Sequence, residues 1–410
     1  LDPKLLTELG IVHSDVTTMY DNIEELRKST PGMVIGTSKV TFEFSIDRFA
    51  KHKFTKGTSK VMSIYLYDRL KQDPNGDECL EPSKVKFKDI YRPYNGQDLT
   101  NKSILVWRTG GIGDLMFIQP NLYYLKKKYP SCHIIFSCAP NYFSLVDNWE
   151  CIDELVHLPI DYNYFQKADY HVTFEGVIER CNEAKKVNAY KLFSRWMGLD
   201  IPDNELKPIQ YTKTENNDIV AAKLKEMGIT AGEFIGVQIR ASSPIRTPSL
   251  LCWKNILTPL LEQGRTIVIV DRPDLKEQMD KFIEATIPPD LRKNVYNISK
   301  LSSTIAIAVS IIAHSKMVIT PDSSFVHLSA ALGVPAFSLY GPFPGHIRVS
   351  LYDNVDYIEP KPSDVCSYGG RYCCLHGHTP CPFNDNGMSP CFNNIDFEQA
   401  HEKINRLLQL

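Results

Sequence analysis

From Ser103 onward, apolar positions fall into short unbroken runs separated by stretches with helical spacing. Ile104-Leu105-Val106-Trp107 is such a run, with the length and composition of a strand covered on both faces. After the turn Arg108-Thr109-Gly110-Gly111-Ile112-Gly113-Asp114, the residues Leu115, Ile118, Leu122 and Leu125 recur every three or four positions, and Lys126-Lys127-Lys128 fill the last turn. That spacing predicts a helix with cations at its negative end. Residues 133–137 form the next apolar run, and the alternation continues through 155–159, 170–174 and a helix at 184–199. A polar stretch at 205–217, containing Pro208, reads as a linker. A second series then predicts strands at 235–239, 266–270, 295–297 and 317–320, with helices near 253–261, 275–283 and 302–314 between them. Strand and helix in strict alternation imply parallel sheets, here two doubly wound ones in tandem, whose loops would face each other across a cleft.

The first 100 residues follow a different period. Residues 33–44 and 61–67 alternate or are β-rich, which predicts strands and a small β-rich module. Lys51, Lys53, Lys56 and Lys60 surround His52. A solvated loop is the default reading and a patch for an acceptor or a polyanion the alternative. The organisation predicted is therefore a β-rich module at 1–100, a Rossmann-like domain at 101–210, a second Rossmann-like domain at 211–350, a cysteine-rich insert at 351–395 and a terminal helix at 396–410.

At 410 residues the chain is too long for one ordinary core. Its 43% hydrophobic and 23% charged residues are those of a soluble globular protein, and a formal net charge of −2 supplies no overall field for nucleic acid or acidic membrane. The longest apolar run, 305–313, is too short to span a bilayer, and no signal peptide is visible, so a cytoplasmic location is expected. Of eleven cysteines, six are scattered, several in apolar segments such as those of Cys132 and Cys138, which suits buried free thiols. Cys366, Cys373, Cys374, Cys381 and Cys391 crowd a loop-like stretch rich in Gly, Pro and Asn, with His376 and His378. Such a stretch cannot build its own core, so a staple is expected: a structural metal site is preferred, with unligated thiols or one or two disulfides as the alternatives.

Two motifs carry chemistry. Thr320-Pro321-Asp322-Ser323-Ser324 ends a strand and opens a helix that closes at Gly333 with Pro335 beyond. Small polar residues at a helix start present unpaired N–H groups and hydroxyls at the positive end of the dipole, which makes an anion site. His327, three residues after Ser324, returns to the same face. The turn at Gly110–Gly113 is not a dinucleotide fingerprint: the third glycine position holds Met116, and the Asp114 carboxylate would repel a pyrophosphate. Asp114 suits general-base work at the mouth of a cleft, or is simply an acid at a helix N-terminus.

Residues 108–114 with Gln119-Pro120, and 320–341 with Pro-Asp-x-x-x-x-His-Leu-x-Ala-Ala-Leu-Gly-Val-Pro and then Leu-Tyr-Gly-Pro, resemble glycosyltransferase family 9, the ADP-heptose:lipopolysaccharide heptosyltransferase group. The resemblance runs from Lys102 to near Asn394. It implies a GT-B fold and an inverting, metal-independent transfer from a nucleotide-diphosphate sugar to a hydroxyl acceptor, whether glycan, protein or modified nucleic-acid base. Gly113-Asp114 matches the family's proposed general base, with Gly111 in the same turn. Asp322, Ser323, Ser324 and His327 match its donor-diphosphate turn, although Ser323-Ser324 stands where the family has Thr-Gly. A cation ahead of Trp253 is implied to neutralise the leaving diphosphate, with Arg246 first and Arg240 second. Asp271 is implied to accept from a ribose or base. No Asp-x-Asp motif of the metal-dependent kind is present. Some relatives, the autotransporter heptosyltransferases, carry a cysteine-liganded iron finger near the position of this cysteine stretch, so zinc or iron is implied there. The first 100 residues lie outside the family core and bear on acceptor choice or on homo-oligomer formation. Two other readings use the same diphosphate site: a GT-B-type sugar-nucleotide epimerase, which needs no acceptor base, and a non-catalytic nucleotide-sugar-binding module.

Overall fold

The structure is a computed structural model that describes residues 6, 9, 17–29, 31–45, 51–73, 76–361 and 389–410. The chain divides into two compact units, Leu1–Glu205 and Leu206–Leu410.

The first unit holds a parallel sheet of β1 (Ser103–Trp107), β2 (His133–Cys138), β3 (Glu154–His157) and β4 (Tyr170–Thr173) in the order β4-β1-β2-β3. Ile104 to Trp107 are fully buried, as an apolar run in the middle of a covered sheet must be. Helix α1 (Ile112–Lys128) follows β1 and buries Leu115, Ile118, Leu122 and Leu125. Helix α2 (Ala189–Trp196) packs against it, with Phe117 edge-on to Tyr190.

The N-terminal residues form a separate antiparallel sheet, ordered Leu80–Pro82, Met33–Ser38, Ser59–Ser63, Ile160–Asp161. The last strand comes from beyond residue 101, and Met33, Ile35 and Val61 share one apolar cluster with Leu105, Trp107 and Ile135. The β-rich module and the first parallel sheet thus pack as one body. Two strand expectations change. The run over 33–44 breaks into Met33–Ser38 and Phe42–Ser45. The strand expected over 61–67 stops at Ser63, and a helix, Ile64–Lys71, takes its place. Ser63 Oγ accepts the Leu66 N–H at 3.2 Å, and Ile64, Tyr67 and Leu70 are buried at three-residue spacing while Tyr65 faces out. A serine cap and a core-facing stripe override the β-propensity of two tyrosines and an isoleucine. Of the lysine group, Lys53 pairs across a hairpin with Glu43, and Lys60 contacts Asp161 at 2.8 Å.

In the second unit a six-stranded parallel sheet comprises β5 (Phe234–Val237), β6 (Thr266–Ile269), β7 (Val295–Asn297), β8 (Met317–Pro321), β9 (Ala336–Leu339) and β10 (Val355–Ile358). Their order, β7-β6-β5-β8-β9-β10, is that of a dinucleotide-binding fold, reversing direction between β5 and β8. Helices α3 (Leu250–Glu262), α4 (Ile305–Ala313) and α5 (Ser324–Ala331) connect the strands. The terminal helix α6 (Phe397–Leu407) buries Ala400, Ile404 and Leu407 in this unit's own core and ties Lys403 and Arg406 to Asp356 of β10. The protein is thus α/β, with the two Rossmann-like units of a GT-B fold and a β-rich N-terminal region. Among the described residues no helix is long and apolar enough to cross a membrane.

Candidate functional site

In each parallel sheet the strand order reverses beside its first strand, and ligands of such sheets bind beyond the strand ends at that point. The sequence motifs fall at these two places.

In the first unit the reversal lies between β1 and β4. Arg108, the residue after β1, is 5% exposed. Its Nη2 donates to Asp114 Oδ2 at 2.8 Å and to Glu179 Oε1 at 2.5 Å, its Nη1 donates to the Phe174 carbonyl at 2.7 Å, and its Nε donates to the Gly110 carbonyl at 3.2 Å. Burial works against the guanidinium charge, but Asp114, Glu179 and Glu175 outweigh it and hold Arg108 protonated well above its ordinary range. Asp114 lies in the first turn of α1 with its side chain 24% exposed and its Oδ2 held by Arg108. Gly111 explains itself: its φ is +89°, and a Cβ there would come within 2.5 Å of Asp114 Oδ2. Gly113 falls within α1, next to the carboxylate. On the β4 side, Glu175 Oε1 accepts the Thr109 hydroxyl at 2.5 Å and also the Thr109 N–H.

In the second unit the reversal lies between β5 and β8. Ser323 caps α5 by accepting the Phe325 N–H at 3.3 Å. Its Oγ also reaches Thr320 Oγ1 at 2.8 Å and donates to Gln238 Oε1, from the loop after β5. Ser324 is the first residue of α5. Among the described residues, the sole non-glycine with positive φ is Asn101, so Ser324 needs no glycine-like backbone and the exchange of Gly for Ser leaves the turn unstrained. Asp322 is 4% exposed; its N–H donates to the Leu339 carbonyl at 3.0 Å. Arg246 approaches both the Asp322 carboxylate and its carbonyl at 3.4 Å and bonds Ser242 Oγ. With its side chain 31% exposed, it presents a positive charge beside the α5 N-terminus.

The other predicted residues separate from this group. Arg240 Nη1 donates to Gln278 at 2.7 Å, on the β6 side of the sheet. Asp271, just past β6, is 8% exposed; its Oδ1 accepts the Arg272 N–H at 2.8 Å, and its buried Oδ2 has no hydrogen-bond partner. Burial raises its carboxyl above the ordinary range. His327 is 3% exposed and bonds Tyr352 Oη through Nδ1 at 2.7 Å. Burial, with Arg348 near, lowers it to about 3, so the ring is neutral and acts near an anion as a dipole rather than a charge.

Of the cysteine cluster, Cys366, Cys373, Cys374 and Cys381, with His376 and His378, lie outside the described residues. Cys391 lies in the short turn Pro390–Asn394. Among the described residues no group of three or more His, Cys, Asp or Glu could hold a metal ion. Cys132, Cys138, Cys151, Cys181 and Cys252 are buried and unpaired, as expected of scattered thiols in apolar segments. Burial pushes Cys151 and Cys252 up to about 12, which leaves them unreactive.

Sequence reasoning gave no role to Arg108, Glu175, Glu179, Gln238 or Thr320. The signal for Arg108 was present: an arginine that directly follows a wholly buried strand must have acids near it. Its partners are 71 and 6 residues away, and the longer of these separations is invisible without the sheet order.

Comparison with known proteins bears on these motifs. The model of glycosyltransferase family 9 (heptosyltransferase) matches residues 189–356. No curated protein matches the chain by sequence. Among solved structures, E. coli ADP-heptose lps heptosyltransferase II is similar with a TM-score of 0.56 at 17% identity, over 75% of this chain and 98% of its own. The family 9 glycosyl transferase from Veillonella parvula DSM 2008 gives a TM-score of 0.58 at 15% identity, over 77% of this chain and 99% of its own. The iron-containing dodecameric glycosyltransferase TibC from enterotoxigenic E. coli H10407 gives 0.52 at 13% identity, over 93% of this chain and 92% of its own. At these identities the likeness is one of fold.

Proposed function

We propose, from a chain whose residues 189–356 make it a family 9 glycosyltransferase, that it catalyses inverting transfer of a sugar from a nucleotide-diphosphate donor to a hydroxyl of a glycan, protein or modified nucleic-acid base. ADP-heptose is the first donor to test, because TibC, a fold neighbour, has been solved in complex with ADP-D-beta-D-heptose. The observation that carries the reading is the group at the β5/β8 reversal. Ser323, Thr320 and Gln238 lock the start of α5, and Arg246 stands beside it. Of the first-turn amides of α5, the Phe325 N–H goes to Ser323; the rest have no carbonyl one turn back and are available to phosphate oxygens.

In the reaction, Asp114 takes the proton of the acceptor hydroxyl as its oxygen attacks the anomeric carbon, and the bond from that carbon to the β-phosphate oxygen breaks. The nucleoside diphosphate leaves with the bonding pair. Arg246 and the α5 amides stabilise the charge that develops on it, and Asp271 accepts from the ribose or base. One attack with one departure inverts the anomeric centre. Arg108 keeps the Asp114 carboxylate aimed by holding its Oδ2. The chemistry asks for no divalent ion, so turnover should persist in EDTA.

The test is transfer from ADP-heptose and a panel of other nucleotide sugars, with product anomer read by NMR. Asp114→Asn should cut transfer by about 10²–10⁴ while donor affinity stays. Transfer by that variant at the normal rate, or nucleotide release with no enzyme-dependent acceptor product, would overturn the reading. Sugar epimerisation that survives Asp114→Asn would favour the epimerase instead.

A further inference from the structure

Gln238 is the residue that follows β5, at the strand-order reversal of the second unit. Its backbone N–H donates to the Ile319 carbonyl of β8 at 3.1 Å, so the main chain here still belongs to the sheet. Its neighbours Val237 and Ile239 are 0% and 3% exposed. A half-buried amide between them must satisfy its polar atoms or leave them to a ligand.

The two ends of that amide are used differently. Oε1 accepts the Ser323 hydroxyl, and Thr320 Oγ1 approaches the same oxygen at 3.3 Å. Two hydroxyls occupy both lone pairs of an amide oxygen. Nε2 carries two N–H donors and makes no hydrogen bond among the described residues. Nor is that nitrogen sealed from solvent. The oxygen and nitrogen of one amide lie about 2.2 Å apart, so these donors stand beside Ser323, the N-cap of α5, near Arg246. A lock on the start of α5 needs only an acceptor. A glutamate would accept from both hydroxyls more strongly, but it would set an anion at the positive end of the helix. Glutamine holds the same two hydroxyls and adds two donors in place of a charge.

We propose that Gln238 is a catalytic residue of the transfer: its Nε2 donates to an oxygen of the donor's diphosphate while its Oε1 holds Ser323 and Thr320. The proposal rests on the glycosyltransferase reading above. The amide gives up no proton. As the bond from the anomeric carbon to the β-phosphate oxygen breaks, the bonding pair passes to that oxygen, and the amide hydrogen bond strengthens with the growing charge. Because its other end is bonded to the N-cap of α5, the amide is aimed before the donor arrives.

The test is calorimetry of the full chain with ADP, UDP and GDP, with transfer measured on the same samples. Gln238→Glu keeps an acceptor for both hydroxyls and removes the N–H donors, so its urea midpoint should stay that of wild type. Nucleotide affinity should fall at least about tenfold, the loss of one charge-assisted hydrogen bond, and transfer by about 10²–10³. The loss should persist in about 1 M KCl, where screening acts over about 3 Å and repulsion from a more distant carboxylate fades. Wild-type affinity in this variant would leave Gln238 a lock and nothing more, and a loss that vanishes in high salt would reduce it to a charge effect; either result overturns the proposal. A second pair of variants carries no charge. Gln238→Met loses both ends of the amide, whereas Thr320→Val loosens the lock and keeps the N–H groups. The methionine variant should bind nucleotide at least about fivefold more weakly than the valine one, and equal binding by the two would again overturn the proposal. Wild type that binds none of the three nucleotides would overturn the glycosyltransferase reading itself, and this proposal with it.

Discussion

The same topological feature, the strand-order reversal of a parallel sheet, occurs once in each unit and carries opposite chemistry. In the first unit three carboxylates, Asp114, Glu175 and Glu179, surround one buried guanidinium, Arg108. In the second, hydroxyls and an amide lock the start of a helix beside Arg246, and the nearest carboxylate, Asp322, is buried against that arginine. The first arrangement repels phosphate and can accept a proton; the second attracts phosphate and can donate hydrogen bonds. Topology fixes where a ligand meets a Rossmann-like sheet, and the residues at the strand ends decide which half of the reaction happens there.

The sharpest way to break the comparison is at Asp114. Asp114→Asn keeps the shape and the bond to Arg108 but removes the proton acceptor, so transfer should fall by about 10²–10⁴. Donor affinity, which the proposed function assigns to the second unit, should not change; a parallel loss of ADP binding would mean that the two sites are not chemically separate. Arg246→Ala should cost roughly 10²–10³ in turnover, the effect of deleting one preorganised group that stabilises developing charge. Here donor affinity should drop as well, and Arg246→Lys should recover only part of it because an ammonium cannot bind phosphate bidentately. Calorimetry with ADP alongside turnover separates the two variants.

The second site was more legible in the sequence than the first. A helix start announces itself locally: Asp322, Ser323 and Ser324 sit within a few residues of everything that defines the turn, and the break at Pro321 precedes them. The parallel sheets were legible for the same reason, as covered strands are unbroken apolar runs. Arg108 was in plain view but its role was not, since Glu179 reaches it only through β4 lying beside β1. The helix at Ile64–Lys71 was missed because its aromatic and β-branched residues have strand propensity, and burial on one face decided otherwise. Counting back from Trp253 put Arg246 ahead of Arg240, but spacing alone did not show what either side chain touches. They are six residues apart, yet one turns to Gln278 and the other to Asp322.

A smaller effect tests whether the two units answer acid alike. Each carries a buried histidine that burial holds neutral. In the first, His171 accepts the Arg92 N–H at Nδ1 and donates from Nε2 to the Phe165 carbonyl, and burial lowers it to about 4. In the second, His327 is lowered to about 3. The unfolded chain binds a proton at each near pH 6.5, while the native state stays neutral until about pH 4 or 3. Between those values the unfolded state holds more protons, so stability rises with pH and is lost as the pH falls below about 6.5. The slope should be about 1.4 kcal/mol per pH unit for each group. Denaturant titrations at pH 7 and pH 5 should show the loss in both units, and His171→Gln and His327→Gln should each flatten only the transition of its own unit. A uniform slope that neither variant alters would show that other groups dominate the acid response.

Asp271 gives the smallest effect and the most discriminating one, because stability and function should move in opposite directions. Its carboxyl is buried, with Oδ2 unbonded, and is raised above its ordinary range. A raised acid is penalised in the native state once the pH exceeds the unfolded value near 3.8. The penalty grows up to the native value and is constant above it. Asp271→Asn removes that charge, so it should stabilise the second unit at pH 7 by about 1 kcal/mol and leave its stability near pH 3 unchanged. The same substitution takes away a charged acceptor for a ribose or base donor, so affinity for ADP should weaken by about tenfold, the value of one charge-assisted hydrogen bond. Denaturation midpoints and ADP calorimetry on one preparation decide it. A variant that is both less stable and unchanged in ADP affinity would make Asp271 an internal structural group. A variant that is more stable yet binds ADP poorly would show that strain is stored at the donor end of this sheet for the sake of its ligand.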